Sequence, residues 1–97
     1  MTIVFYRPEA VADIVEASAW YARQKDGLGE EFLSAVKETA DRISDQPLLY
    51  VVVHRETRGA LVRRFPYGLN YKLWNQKAVV VACFHTSRNP HILQIRK

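Results

Sequence analysis

Residues 84–90, FHTSRNP, place a histidine, two hydroxyls, an arginine and an asparagine directly after the most apolar run of the chain, AVVVAC. His85 and Arg88 are three residues apart, close enough for one proton carrier and one phosphate grip. Arg58, Arg63, Arg64, Tyr67 and Tyr71 lie in the segments just upstream. Guanidinium forks hold phosphates bidentately and tyrosine rings stack bases, so this set suits an anionic, base-bearing partner. Metal-free RNA cleavage needs little more. A base must deprotonate the 2′-hydroxyl, cations must stabilise the phosphorane, and an acid must protonate the leaving oxygen. In that chemistry His85 carries the proton, and Arg88 and Arg63 hold the phosphate.

Each of these residues also has a structural reading. His85 can cap a fraying strand through hydrogen bonds. Arg63 and Arg64 are consecutive, so on a strand they face opposite sides, and one of them then pairs with Glu16, Glu38 or Asp41. Tyr71 alternates with leucines and reads as core, and Asn89-Pro90 is a turn signal. Other chemistries find little support. The three histidines and Cys83 have no metal-ligand spacing, and carboxylates are nearly absent from the second half. No serine or cysteine has an adjacent base and orienter, and GLG lacks the lysine of a phosphate loop. No cofactor is expected.

The elements that must hold these residues follow from periodicity. TIVFY is a short β-branched and aromatic strand. Pro8 and Glu9 open a helix whose apolar positions are Val11, Ile14, Val15, Ser18, Tyr21 and Ala22. Trp20 falls among the polar positions of that helix and waits for a partner or covers an edge. Glycines in KDGLGEEF break the pattern, and a second helix carries Phe32, Leu33, Val36, Ala40 and Ile43. Lys37–Asp41 and Glu38–Arg42 are spaced as i,i+4 pairs, and Pro47 ends the helix. LLYVVVH is an apolar run, strand or extended. GALVRRF is a strand, PYG a turn, LNYKLW a strand, NQK a hairpin turn and AVVVACFH a central strand apolar on both faces. The expected fold is α+β, ordered β-α-α-β-β-β, with a two-helix hairpin packed on one face of a small antiparallel sheet.

Composition sets the outer bounds. Ninety-seven residues, 48% apolar and 25% charged, suit one globular domain spanning 1–97. The longest apolar runs are too short to cross a bilayer, and MTIVFYRPEA does not read as a secretion signal. With a single cysteine, a reducing cytoplasm is expected. The net charge of +4 conceals two unlike halves. Up to Gln46 there are nine acidic and five basic residues; from Pro47 onward, one acidic and nine basic. This points either to a basic surface for an anionic partner or to attraction between the two halves.

Three blocks, GLGEEFLSAV, ALVRRFPYGLNYKLW and VVVACFHTSRNP, resemble the RelE/ParE superfamily of bacterial toxins, in order and at the usual spacing. The resemblance runs from FYRPEAVADI to the final IRK. It implies the toxin of a type II toxin–antitoxin pair, held inactive by a cognate antitoxin, with operator DNA reached only through that antitoxin and no membrane involvement. RelE-like members cut messenger RNA in the ribosome; ParE-like members inhibit DNA gyrase. Gly68 stands where RelE-like toxins have an arginine, and no tyrosine follows Tyr71, so the FPYG hairpin and HTSRNP exit resemble the ParE-like branch more closely. That branch implies gyrase inhibition by surface contact. Arg58, Arg64, Tyr67, Lys72, Trp74 and Arg96 are then the residues expected to meet target or antitoxin. The alternative is a ribosome-dependent endonuclease using His85, Arg88 and Arg63. A basic nucleic-acid-binding module without toxicity explains the charge but not the blocks.

Overall fold

The computed structural model describes residues 1–88 and 93. Arg96, one of the expected contact residues, and Asn89-Pro90 lie outside the described residues. The element order is β1 (Ile3–Tyr6), α1 (Pro8–Gln24), α2 (Leu28–Asp45), β2 (Val52–His54), β3 (Thr57–Leu61), β4 (Tyr67–Trp74) and β5 (Lys77–His85). The five strands form one sheet in the order β1-β5-β4-β3-β2. Both helices pack on one of its faces, as the periodicity predicts.

The sheet is mixed rather than wholly antiparallel. β2 through β5 pair antiparallel, but β1 lies parallel to β5, with Ile3 opposite Lys77 and Tyr6 opposite Val80. The helix hairpin between them is the crossover that a parallel pair requires. LLYVVVH contributes one strand more than the expected order, and only its last part, Val52–His54, is extended in the sheet. The segment before it is a connector held from beneath. Tyr71, wholly buried, donates its hydroxyl to the Pro47 carbonyl at 2.5 Å, and Arg58 Nη1 donates to Tyr50 O at 2.7 Å and Leu48 O at 3.3 Å.

α1 starts at Pro8, whose missing N–H costs nothing in a first turn, and Glu9 complements the dipole. It buries Ala10, Ile14 and Ala17, while Val11 and Val15 stay exposed. The expected stripe is therefore rotated, because two alanines let the helix axis approach β5 closely. Gly27, at φ 82°, turns the chain into α2. A Cβ on Gly29 would sit 2.6 Å from the Ser18 carbonyl, so α1 and α2 touch there at backbone distance. Phe32, Val36, Ala40 and Ile43 are buried as expected, and Leu33 is not. Lys37 and Asp41 do pair, at 3.5 Å, but Glu38 turns to Arg63 instead of Arg42.

β5 is central and apolar on both faces, as its composition requires. The register shifts between Asn70, opposite Ala82, and Tyr71, opposite Val80, so that Val81 is the extra residue of a β-bulge. Simple alternation would put Val79, Val81, Cys83 and His85 on one side. The bulge instead sends Ala78, Val80 and Cys83 into the core under the helices, and Val79, Val81, Ala82 and Phe84 into a second cluster with Leu93 on the open face. GALVRRF leaves the sheet at Leu61, so Arg63 and Arg64 lie in the turn before β4 rather than on a strand. The β4–β5 hairpin closes at Asn75-Gln76, both at positive φ (53° and 64°), the conformation of a type I′ turn.

The buried Tyr71 hydroxyl donates to the Pro47 carbonyl. Tyr71→Phe is expected to lower unfolding stability by about 1–2 kcal/mol, whereas Phe32→Ala, which empties the core, should cost about 3–5 kcal/mol. Urea titration of both variants measures the difference.

Candidate functional site

The exit of β5 is a built turn. His85, the last strand residue, pairs with Tyr67 in the ladder, and their rings meet edge-on with centroids 5.4 Å apart. The Thr86 N–H donates to Pro66 O at 2.8 Å, and the Arg88 N–H to His85 O at 2.9 Å. Ser87 places its N–H 3.1 Å and its hydroxyl 2.8 Å from His85 Nδ1. An Nδ1 that accepts the Ser87 N–H puts the ring proton of neutral His85 on Nε2. Arg88 then folds back with its guanidinium carbon 4.2 Å from the centre of the Phe84 ring. The chemistry-bearing stretch is thus ordered by its own short-range bonds, and His85 and Arg88 share one turn.

This turn forms one wall of a cleft of about 650 Å³ between α1 and the sheet, lined among others by Glu16, Trp20, Tyr67, His85 and Arg88. A chain of ring contacts supports that wall. Tyr21 stands 5.1 Å from Trp20, 4.9 Å from Phe65 and 6.1 Å from Tyr67, and Phe32 stands 5.2 Å from Phe65 and Tyr67. Edge-on pairs of this kind add about 0.5–1.5 kcal/mol each beyond their burial. Burial raises the pKa of the Tyr67 hydroxyl, with smaller upward pushes from Cys83 and the Glu16 carboxylate.

Behind the cleft, the Cys83 N–H donates to Asp13 Oδ2 at 3.0 Å. The partner strand has ended there: β1 pairs with β5 only as far as Val80, whose carbonyl accepts the Arg7 N–H. A helical carboxylate therefore replaces the missing strand. Burial first, and Asp13 second, push the Cys83 thiol up to about 12.

The remaining candidates divide between two faces. Arg58 is turned inward and spends its guanidinium on the 48–50 connector. Arg63 makes a 3.6 Å ion pair with Glu38 at an exposed position, where such pairs contribute little. Arg64, at φ 71°, is exposed in the same turn. Neither arginine lines the cleft that holds His85 and Arg88. Lys72 and Trp74 stand on the open sheet face with Val79 and Val81, and Trp74 is 69% exposed. A groove of about 510 Å³ crosses that face, walled by Val53, Leu61, Phe84 and Leu93 and floored by Gly59, Gly68 and Asn70, with Arg88 at one end. Ile3 and Phe5 extend the exposed apolar surface, and Lys77 lies 5.4 Å from the Phe5 ring centre. Reading along the chain misses Ile3, Phe5 and Leu61 as surface residues. Their signal is alternation in strands whose other side is already taken by the helices.

Residues 4–90 match the family described as "ParE toxin of type II toxin-antitoxin system, parDE". The chain belongs to this toxin family. A solved structure titled "Chromosomal ParDE TA system from P. aeruginosa" has a similar fold, with a TM-score of 0.64 at 13% identity, covering 88% of this chain and 96% of that one. No curated protein matches the chain. The ParE-like assignment agrees with the resemblance carried by the hairpin and the β5 exit. Among the described residues of this ParE family member, no helix is long and apolar enough to cross a membrane.

The displaced pKa of Cys83 is testable. At pH 8 the folded thiol should be alkylated by iodoacetamide at least about a thousand-fold more slowly than the urea-unfolded chain, because the thiolate is the reactive form. The sign also requires folded stability to fall as pH rises from the ordinary thiol range toward 12, where the unfolded chain ionises first. Equal labelling rates in the two states would contradict this account.

Proposed function

We propose that the chain arrests growth by binding DNA gyrase, and that a cognate antitoxin silences it by covering the open sheet face. The observation that carries this reading is the separation of the arginines. An endonuclease built on His85, Arg88 and Arg63 needs all three around one phosphate, and Arg63 is engaged with Glu38, away from the cleft that His85 and Arg88 line. What stands exposed is contact surface. Ile3, Phe5, Leu61 and Trp74 are large apolar side chains open to solvent, with Lys72 and Lys77 among them on the same face. Aromatic anchors bordered by cations suit a protein partner that brings apolar side chains and carboxylates. The family gives the chain its antitoxin; the basic second half gives that antitoxin an acidic complement. Both partners are cytoplasmic, and operator DNA is met only through the antitoxin.

Purified chain is expected to inhibit gyrase supercoiling and to accumulate cleaved DNA. Trp74→Ala, which removes an exposed anchor, should weaken inhibition by about 2 kcal/mol, roughly thirty-fold in the half-inhibiting concentration. Unchanged supercoiling at saturating protein, together with codon-positioned cuts in translated message, would replace this reading with the ribosome-dependent endonuclease.

A further inference from the structure

The helix-side cleft meets the open-face groove at His85 and Arg88 and adds to them an acidic and aromatic lining that the groove lacks. Trp20, Tyr21, Tyr67 and His85 pass their rings along its wall at centroid spacings of 5.1, 6.1 and 5.4 Å. The Glu16 carboxylate lines the same cleft, and Arg23 and Arg88 bring two guanidinium groups to it. None of these three side chains takes part in an ion pair among the described residues. At about 650 Å³ the space falls within the roughly 300–1,000 Å³ range typical of small-ligand sites.

We propose that this cleft binds a guanine nucleotide. The lining rejects simpler ligands. A lone cation meets two arginines, and a lone anion meets the carboxylates of Glu16 and Asp13. A ligand with a flat ring, a donor edge and a phosphate satisfies all three kinds of group at once. Rings stack bases of any kind, so stacking supplies affinity without choice. The carboxylate supplies the choice, because it only accepts hydrogen bonds. Guanine presents adjacent N–H donors at N1 and N2, which a carboxylate takes as a bidentate pair. Adenine and cytosine each place a bare ring nitrogen beside a single donor, and that nitrogen repels the second carboxylate oxygen. The phosphate goes to a guanidinium fork. Arg88 is already placed for this: its backbone is held to His85 O, and stacking on Phe84 occupies the face of its guanidinium while leaving the N–H edge available. Trp20, half exposed on the rim, closes over the base from the α1 side.

The two tryptophans allow a clean test, since Trp20 lines this cleft and Trp74 stands on the opposite sheet face. Their indole N–H signals in a ¹H–¹⁵N spectrum of the full chain report the two faces separately. Titration with GMP should move the Trp20 signal saturably and leave Trp74 in place. AMP should need at least about ten-fold more ligand, the discrimination expected of one bidentate pair. Inorganic phosphate should leave Trp20 unmoved. Glu16→Gln should shrink the GMP–AMP difference below about three-fold, and Arg88→Ala should weaken GMP but not guanosine. Both residues are exposed, and an unchanged Trp74 signal confirms that each variant is folded. The proposal is overturned if GMP leaves Trp20 unmoved in a well-dispersed spectrum, if AMP or phosphate matches GMP, or if Trp74 moves instead. It is also overturned if an oligothymidylate carrying one central guanine moves Trp20 while GMP does not.

Discussion

One hydrogen bond settles how the helices meet the sheet. β1 is four residues long and β5 is nine, so the edge of β5 is left uncovered beyond Val80. A buried backbone N–H without a partner costs about 1–3 kcal/mol. Asp13 meets that need at Cys83 from one turn inside α1, and in doing so fixes where α1 crosses the strand. Glu16, Ala17 and Trp20 follow along the same helix and become the wall of the cleft opposite His85. The N-terminal half is acidic and the C-terminal half basic, and here one carboxylate of the first serves the backbone of the second.

The β-bulge at Val81 has the complementary role. Without it, Val80 and Cys83 could not both face the helices, since residues three apart lie on opposite sides of a regular strand. The extra residue turns Cys83 toward the helices and Phe84 to the open face, so the exit turn, with His85 beside Tyr67 and Arg88 stacked on Phe84, borders both faces. The two clefts meet at this turn, which lines both.

Much of this was legible along the chain and some was not, for physical reasons. Pro8, the paired glycines and Pro47 mark the helices because their backbone constraints act locally. The both-faces-apolar composition of AVVVAC marks a central strand, and Tyr71 alternates with leucines because it is core. Of Glu16, Glu38 and Asp41, the carboxylates expected to pair with one of the consecutive arginines, Glu38 takes Arg63, though from a turn. The parallel seat of β1 was not legible, since Ile3 and Lys77 are joined only by tertiary packing. Nor was the bulge, which follows from matching two strands rather than from either alone. Arg58 reads as surface charge, yet its guanidinium holds main-chain carbonyls of a segment eight to ten residues away. Trp20 sits among polar positions because the cleft it borders is made by a strand some sixty residues later.

The parallel pairing of β1 with β5 also orders events during synthesis. Local helix contacts form early, whereas pairing across the length of the chain is slow and comes late. β1 has no strand to pair with until β5 has left the ribosome, and the open sheet face is incomplete before then. A nascent chain therefore carries its helical hairpin well before it owns a surface able to engage a target. Whatever silences the folded molecule across that face has no complete surface to grip, and none to guard against, until β5 has been made.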